Sequence, residues 1–181
     1  MVKFIVLGLL AIVGVLAIIV ALQPTAFVIE RSASIQAPAA VIYPHIVSPR
    51  AMNGWSPFAL GDPNMKIEYS GPDSGVGARS AWESQKMGSG SMTVTETKPD
   101  EQVTLRLDFV KPFQATNTAR FILEPQGQAT RVTWRMEGQN GFMGKAFGLL
   151  MNTDKMVGGQ FEQGLSSMKT LTEAESAGKA G

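Results

Sequence analysis

Seven short runs of alternating apolar and polar residues lie between residues 27 and 138, and they constrain the fold more than any other feature. In residues 102–110, for example, Val103, Leu105 and Leu107 share one parity, while Thr104 and Arg106 share the other. The seven runs cover residues 27–35, 65–70, 78–84, 91–97, 102–110, 113–123 and 129–138. Such alternation is typical of half-buried strands, and the short connections after the second run favour hairpins. The sequence therefore predicts a seven-stranded antiparallel sheet with one apolar face.

Helical patterns flank the strands on both sides. Two short helices are predicted after the first strand, within residues 39–47 and 48–63, and a long amphipathic helix is predicted at residues 142–175. Asn152 and Thr153 are typical of a helix start and favour a break in the long helix. Because the sheet and the long helix must bury their apolar faces against each other, we expect an α+β fold in which the twisted sheet curls around the C-terminal helix.

A run of 19 residues without a polar side chain, from Phe4 to Leu22, precedes the first strand. A helix of that length rises roughly 28 Å, close to the hydrocarbon thickness of a bilayer. A cleaved signal peptide would have a shorter apolar core and a small-x-small cleavage site, which Ala21-Leu22-Gln23-Pro24 fits poorly. A buried core helix would normally keep a polar face. We therefore predict an uncleaved transmembrane anchor over residues 1–24, a single domain over 25–175 and a disordered tail over 176–181.

The charges beside this run suggest its orientation. Lys3 precedes it, whereas the first basic residue after it, Arg31, follows an acidic residue. The positive-inside rule then places the N-terminus in the cytoplasm. For a bacterial protein this predicts a single-pass protein of the inner (plasma) membrane with a periplasmic or other extracytoplasmic domain.

The composition excludes several classes of site. The chain has no cysteine and one histidine, which rules out disulfides, a thiol nucleophile and a multi-histidine metal site. The formal net charge is +1 without a basic cluster, which argues against nucleic-acid binding. We find no Ser-His-Asp order, phosphate loop or cofactor fingerprint, and we expect neither a metal nor a cofactor.

Three glycines interrupt the apolar pattern of the last helix, at Gly158, Gly159 and Gly164. Each interior glycine costs a helix about 0.8–1.0 kcal/mol relative to alanine. On a helical wheel Gly164 lies on the apolar side with Phe161, Gly158 lies at its edge, and Gly159 points away. Gly164 and Gly158 can be explained either by close packing of the helix against the sheet or by a place in the wall of a cavity. The sequence does not explain Gly159.

Few residues are candidates for chemistry. In an unbroken helix Asp154 would share the apolar face, where burial would raise its pKa and suit it to acid–base work; otherwise it belongs to a helix cap. His45 is the other weak catalytic candidate, and a surface or satisfied core histidine is the alternative. Asn117 shares a strand face with Ala119, so its amide needs a partner from the backbone, a water or a ligand.

The order of elements and several local motifs resemble the SRPBCC superfamily, the helix-grip fold of START-like and Bet v 1-like proteins. The resemblance is carried by ERSASIQAPAAVIY, GWSPF, YSGPDSGVGARSAWES, VKPFQATNTARFILEPQGQATRVTW and DKMVGGQFEQGLSSMK. Its nearest branch is the polyketide cyclase/dehydrase-like one, in a membrane-anchored bacterial form. The resemblance implies an apolar cavity between the curled sheet and the C-terminal helix, in which such proteins hold lipids, sterols, polyketides or other hydrophobic molecules.

Three functions follow as hypotheses. The first is a membrane-anchored binding protein for a hydrophobic small molecule or lipid, the second a cyclase-like or hydrolase-like enzyme acting in the same cavity, and the third an interaction module of the cell envelope. The residues that we expect to form the ligand-binding cavity are Trp55, Met65, Tyr69, Trp82, Met92, Leu107, Phe109, Asn117, Phe121, Trp134, Val157, Gly158, Phe161 and Leu165.

Overall fold

The computed structural model describes residues 2–150 and 152–179, with side chains given except at positions 2, 5, 147, 150 and 179. The helices are α1 (Val2–Ala21), α2 (Ala39–Ile42), α3 (Pro44–Val47), α4 (Pro49–Asn53), α5 (Pro57–Leu60), α6 (Phe142–Leu150) and α7 (Thr153–Lys179). The strands are β1 (Ala26–Ile35), β2 (Lys66–Ser70), β3 (Arg79–Ser84), β4 (Gly88–Lys98), β5 (Gln102–Lys111), β6 (Ala115–Gln126) and β7 (Ala129–Gln139).

The strands form one antiparallel sheet in the order β1-β7-β6-β5-β4-β3-β2. Each strand from β2 to β7 pairs with its neighbour in sequence, and β1 joins the free edge of β7. The predicted sheet of seven strands with a long C-terminal helix is confirmed, and the architecture is that of a helix-grip fold. The apolar residues of the alternating runs lie on the buried face of the sheet, where Val103, Leu105, Phe121 and Val132 are all buried.

The outer face of the sheet carries the charged residues of the same strands. Arg135 of β7 pairs with Glu30 of β1, and Arg120 of β6 pairs with Glu137 of β7. These side chains are partly exposed to solvent, so each pair contributes little to stability. The outer face with these charged residues is therefore the solvated side of the sheet, and the core packs against the opposite face.

Four short helices, α2 to α5, replace the two that the sequence predicts. Pro44, Pro49 and Pro57 each occupy the first position of a new helix. Proline suits that position because its fixed φ matches a helix and its missing N–H would be unpaired there anyway. The three prolines therefore divide the segment into short helices, which pack against the sheet and α7.

The C-terminal helical segment is broken where Asn152 favours a new start. The Oδ1 atom of Asn152 accepts a hydrogen bond of 2.9 Å from the backbone N–H of Lys155, so this side chain caps α7. Helix α7 continues to Lys179, through most of the segment 176–181 for which disorder is expected from the sequence; residues 180 and 181 lie outside the described residues. The reason for the longer helix is that residues 174–179 contain no proline and only one glycine.

Helix α1 coincides with the apolar run, and most of its large apolar side chains are exposed, Phe4 to 79%. Among the residues whose side chains are described, a set that omits residues 2 and 5 of α1, no helix is long and apolar enough to cross a membrane. The Nζ atom of Lys145 in α6 donates a hydrogen bond of 3.2 Å to the carbonyl oxygen of Ala21, so α6 lies beside the end of α1.

Candidate functional site

An apolar cavity of about 300 Å³ lies between the inner face of the sheet, the short helices α4 and α5, and the first turns of α7. A volume of this size falls at the lower end of the range of about 300–1,000 Å³ for ligand pockets. Apart from Asn53, Ser56 and Ser80, its walls are apolar. The lining residues are Met52, Asn53, Ser56, Phe58, Ala59, Met65, Ile67, Ser80, Trp82, Met87, Met92, Leu105, Leu107, Phe109, Ala119, Phe121, Trp134, Met136, Val157 and Phe161.

The structure brings nine of the expected cavity residues together around this space. They are Met65, Trp82, Met92, Leu107, Phe109, Phe121, Trp134, Val157 and Phe161. Strand pairing explains how distant residues meet. Leu107 lies opposite Met92 on one side, and Phe121 lies opposite Trp134.

The other five expected residues lie elsewhere. Trp55 and Leu165 are buried in the core behind the cavity wall, and the indole N–H of Trp55 donates to the carbonyl oxygen of His45 at 3.0 Å. Tyr69 lies at the sheet edge, where its hydroxyl accepts a hydrogen bond from Asn53 and its ring lies under the guanidinium of Arg50. Asn117 and Gly158 are adjacent to the cavity without lining it.

Further lining residues, on both strands and helices, lie outside the expected set. On the strands the signal was present, because Ser80, Leu105 and Met136 share parity with the expected residues Trp82, Leu107 and Trp134. The short helices α4 and α5 carry no comparable periodicity, since each spans about one turn. Only the tertiary arrangement shows that their residues Met52, Asn53, Phe58 and Ala59, and Ser56 between the two helices, face the cavity.

Aromatic rings form the wall of the cavity next to α7. The rings of Trp134 and Phe161 stack with centroids 4.1 Å apart and planes 5° from parallel. Trp55 and Phe58 contact Trp134 edge-on. Such contacts hold the rings in fixed orientations and add to the energy of burial. This wall is therefore rigid, in contrast to the flexible methionine side chains elsewhere around the cavity.

Close packing explains two of the three glycines that interrupt the apolar pattern of α7. A methyl group at Gly164 would lie 2.8 Å from Cζ3 of Trp134 and 3.0 Å from Cδ of Pro57. A methyl group at Gly158 would collide with the guanidinium of Arg31, which lies directly over the helix. A methyl group at Gly159 would meet nothing within 4 Å, and the structure offers no packing reason for that glycine.

Arg31 explains both Gly158 and the position of Asp154. Its guanidinium bonds to the Asp154 carboxylate at 2.9 Å and to Glu162 at 2.7 Å, one turn of α7 on either side of Gly158. The hydrogen bond from Arg31 holds the pKa of Asp154 below its usual value. The Asp154 side chain is 60% exposed and does not line the cavity. Asp154 therefore joins β1 to α7, and its pKa shifts downward because Arg31 outweighs the effect of burial, whereas acid–base work would need an upward shift.

His45 lies at the far end of α7 from Asp154. Its Nε2 atom is 2.9 Å from a carboxylate oxygen of Glu175, and neither residue lines the cavity. The pair fastens α3 to the last turns of α7. The two weak catalytic candidates are thus held apart at opposite ends of the helix. Within the described part of the chain, no group of three or more histidine, aspartate or glutamate side chains is placed to hold a metal ion.

Solved structures with the same fold share little sequence with this chain. Truncated norcoclaurine synthase from Thalictrum flavum matches with a TM-score of 0.61 and 14% identity, covering 83% of this chain and 95% of that one. The Aha1 dimer from Colwellia psychrerythraea gives 0.58 and 17%, covering 81% and 96%. A protein from Chromobacterium violaceum gives 0.59 and 16%, covering 81% and 96%. At such identities the likeness shows the fold alone.

Sequence comparison identifies the family. Among curated proteins, none matches the chain. The family model for polyketide cyclase/dehydrase and lipid transport proteins matches residues 26–173, which cover the whole sheet and most of α7. Together with the neighbours of Bet v 1-like fold, this match supports the SRPBCC superfamily that the sequence motifs resemble. The chain belongs to the polyketide cyclase/dehydrase and lipid transport family.

Proposed function

We propose that this protein binds a hydrophobic small molecule or lipid in the cavity between the sheet and α7. The observation that carries the proposal is a cavity of about 300 Å³ whose lining contains no charged residue. Burying an apolar ligand surface there is favourable by about 25 cal/mol per Å². Methionines on several walls allow the space to adapt to ligands of different shape. Membership of a family that includes lipid transport points the same way.

An enzymatic role would need polar groups that converge on the ligand. The two side chains singled out for that role are held outside the cavity, Asp154 in an ion pair with Arg31 and His45 in a hydrogen bond with Glu175. No observation favours a cyclase or hydrolase reaction over binding, so binding without chemical change is the function that we propose.

Lipid analysis of the full-length protein tests this proposal. Protein purified in mild detergent from its native membrane should release a hydrophobic molecule on organic extraction, in a fixed ratio to protein. Replacing Ala119 by Phe should abolish this, because Ala119 lines the cavity and a phenyl ring would extend into it. The matched control is Thr118→Phe, which adds the same ring on the outer face of the same strand. Equal amounts of extracted molecule from both variants and the wild type would refute the proposal.

We further propose that α1 anchors the domain in the plasma membrane of a bacterium, with the N-terminus in the cytoplasm and the domain outside it. The support is the uninterrupted apolar run, the exposure of its side chains and the position of Lys3 before it. Only four residues separate α1 from β1. An anchored domain would therefore sit against the bilayer, with the exposed apolar residues Phe142, Met143 and Leu149 of α6 beside the anchor.

The absence of cysteine makes the anchoring and its orientation easy to test. A single cysteine introduced by Ser176→Cys in α7 should react with a membrane-impermeant maleimide in intact spheroplasts. The same full-length variant should sediment with membranes and resist extraction by carbonate. Reaction only after lysis would contradict the orientation, and recovery in the soluble fraction would contradict the anchor.

A further inference from the structure

The side-chain oxygen of Asn117, Oδ1, has no hydrogen-bond partner among the described residues, although the residue is only 8% exposed. Its Oδ1 atom is fully shielded from solvent. Gly138 lies beside this oxygen, because a methyl group on Gly138 would collide with it and would lie 3.0 Å from Cε1 of Phe27. The ring of Phe27 has no N–H or O–H, and the oxygen accepts no hydrogen bond from Gly138. More than about nine in ten buried polar groups are paired in native proteins, so this oxygen calls for an explanation.

Strand register places Asn117 at the edge of the cavity. On β6 it lies opposite Leu107 of β5 and Gly138 of β7. Three of its neighbours on the inner face line the cavity: Leu107 across the strand, Ala119 two residues along, and Met136 on the diagonal. For its amide to reach the cavity, the side-chain torsions of Asn117 must turn from Gly138 towards Leu107, which lies opposite it on β5.

The charge of the cavity limits which polar group can reach Asn117. None of its lining residues is ionisable at neutral pH. A charged group of a ligand would lose its hydration there without gaining an opposite charge, which is strongly unfavourable. A neutral group that both donates and accepts, such as a hydroxyl, matches a carboxamide, which offers an acceptor oxygen and two N–H donors.

We propose that the cavity selects a neutral amphiphile whose hydroxyl group donates a hydrogen bond to Oδ1 of Asn117, an inference that rests on the proposed binding function. The apolar body of the ligand then lies along the row of Leu107 and Met92, towards Trp82. The bound hydroxyl supplies the partner that the protein lacks. Asn117 thus acts as a specificity residue, which distinguishes an alcohol from an ether or a hydrocarbon of the same size.

Two isomers provide matched probes: octan-1-ol, which donates a hydrogen bond, and 1-methoxyheptane, which does not. Their dissociation constants are measured by tryptophan fluorescence on the full-length protein in detergent, because Trp82 and Trp134 line the cavity. The measurement is repeated on Asn117→Leu, and on Thr118→Leu as a control at the neighbouring residue, which lies on the outer face of the same strand. For each protein we take the dissociation constant of the ether divided by that of the alcohol. The double ratio is this quotient for the wild type divided by the quotient for the variant, and partitioning of the probes into micelles cancels in it.

We expect this double ratio to be about ten for Asn117→Leu, since one hydrogen bond to a buried group is lost, and close to one for Thr118→Leu. If both probes bind the wild type and the ratio is unchanged in Asn117→Leu, the inference is wrong and the binding function stands. If neither probe binds the wild type, both the proposed binding function and this inference are wrong.

A measurement on the wild type removes any dependence on the folding of the variant. In a ¹⁵N-correlated spectrum the side-chain NH₂ signals of Asn117 should shift on addition of octan-1-ol and shift far less with 1-methoxyheptane. Equal shifts with the two isomers would overturn the assignment of Asn117 as the partner of the hydroxyl.

Discussion

Two glycines in α7, five residues apart, should respond in opposite directions to the same substitution. Gly159 is exposed in the middle of the helix, and a methyl group there would meet nothing within 4 Å. Gly164 is buried, and a methyl group there would lie 2.8 Å from the ring of Trp134 and 3.0 Å from Pro57. Both substitutions to alanine gain the same helix propensity, so their difference isolates the cost of packing.

The magnitudes follow from the surroundings. Gly159→Ala should raise the free energy of unfolding by about 0.8–1.0 kcal/mol, the difference in helix propensity. Gly164→Ala gains that amount and loses about 1–3 kcal/mol from overpacking. The loss applies in full because Trp134 is held by its stack with Phe161 and by edge contacts with Trp55, so the ring is not free to move aside. The two variants should therefore differ by about 1–3 kcal/mol.

Thermal unfolding of the full-length protein in detergent, followed by near-ultraviolet circular dichroism, measures this difference. For a chain of 150–250 residues, 1 kcal/mol shifts Tm by about 2–4 °C. Gly159→Ala should unfold a few degrees above the wild type, and Gly164→Ala at least about 2 °C below Gly159→Ala. If Gly164→Ala matched or exceeded Gly159→Ala in Tm, α7 would not lie as close to the aromatic wall as the structure has it.

Two further predictions concern the junction of β1 with α7 and the α5 side of the cavity. Arg31→Met should lower Tm at neutral pH, because it removes the ion pairs that join β1 to Asp154 and Glu162 of α7. Arg31 lowers the pKa of Asp154 in the folded protein, so the stabilisation from the Arg31–Asp154 pair is present at pH values above the ordinary aspartate pKa of 3.8. It is lost as the pH falls through the pKa of Asp154 in the folded protein. A difference in Tm between Arg31→Met and the wild type that persisted unchanged at pH 2 would contradict the role of the pair. Ala59 is a half-exposed lining residue of α5, and Ala59→Trp places a large ring there. This variant should slow the exchange of bound ligand at least severalfold with little change in Tm. Unaltered exchange in a stopped-flow displacement assay would show that ligands enter elsewhere.

Much of the sheet could be predicted from local pattern. Residues 102–110, for instance, alternate so regularly that the strand, its buried face and its antiparallel neighbours follow together, and β5 is found at Gln102–Lys111. The helix start at Asn152 was also readable, because capping depends on residues only a few positions apart. The four short helices were not, since a single turn between prolines has no period to detect.

The roles of single residues at the cavity depended on distant parts of the chain. Asp154 has no fixed surroundings until Arg31, 123 residues earlier, reaches across α7 to it. Gly158 is explained only by the same arginine, and the parity of Asn117 places it on the inner face without showing whether it finds a partner. By itself the sequence determined the strands, the last helix and the side of the sheet that is buried, because these follow from hydrophobic periodicity within one segment. The tertiary structure alone decided where space is left inside and which polar groups border it, because that depends on how closely elements far apart in the chain can approach each other.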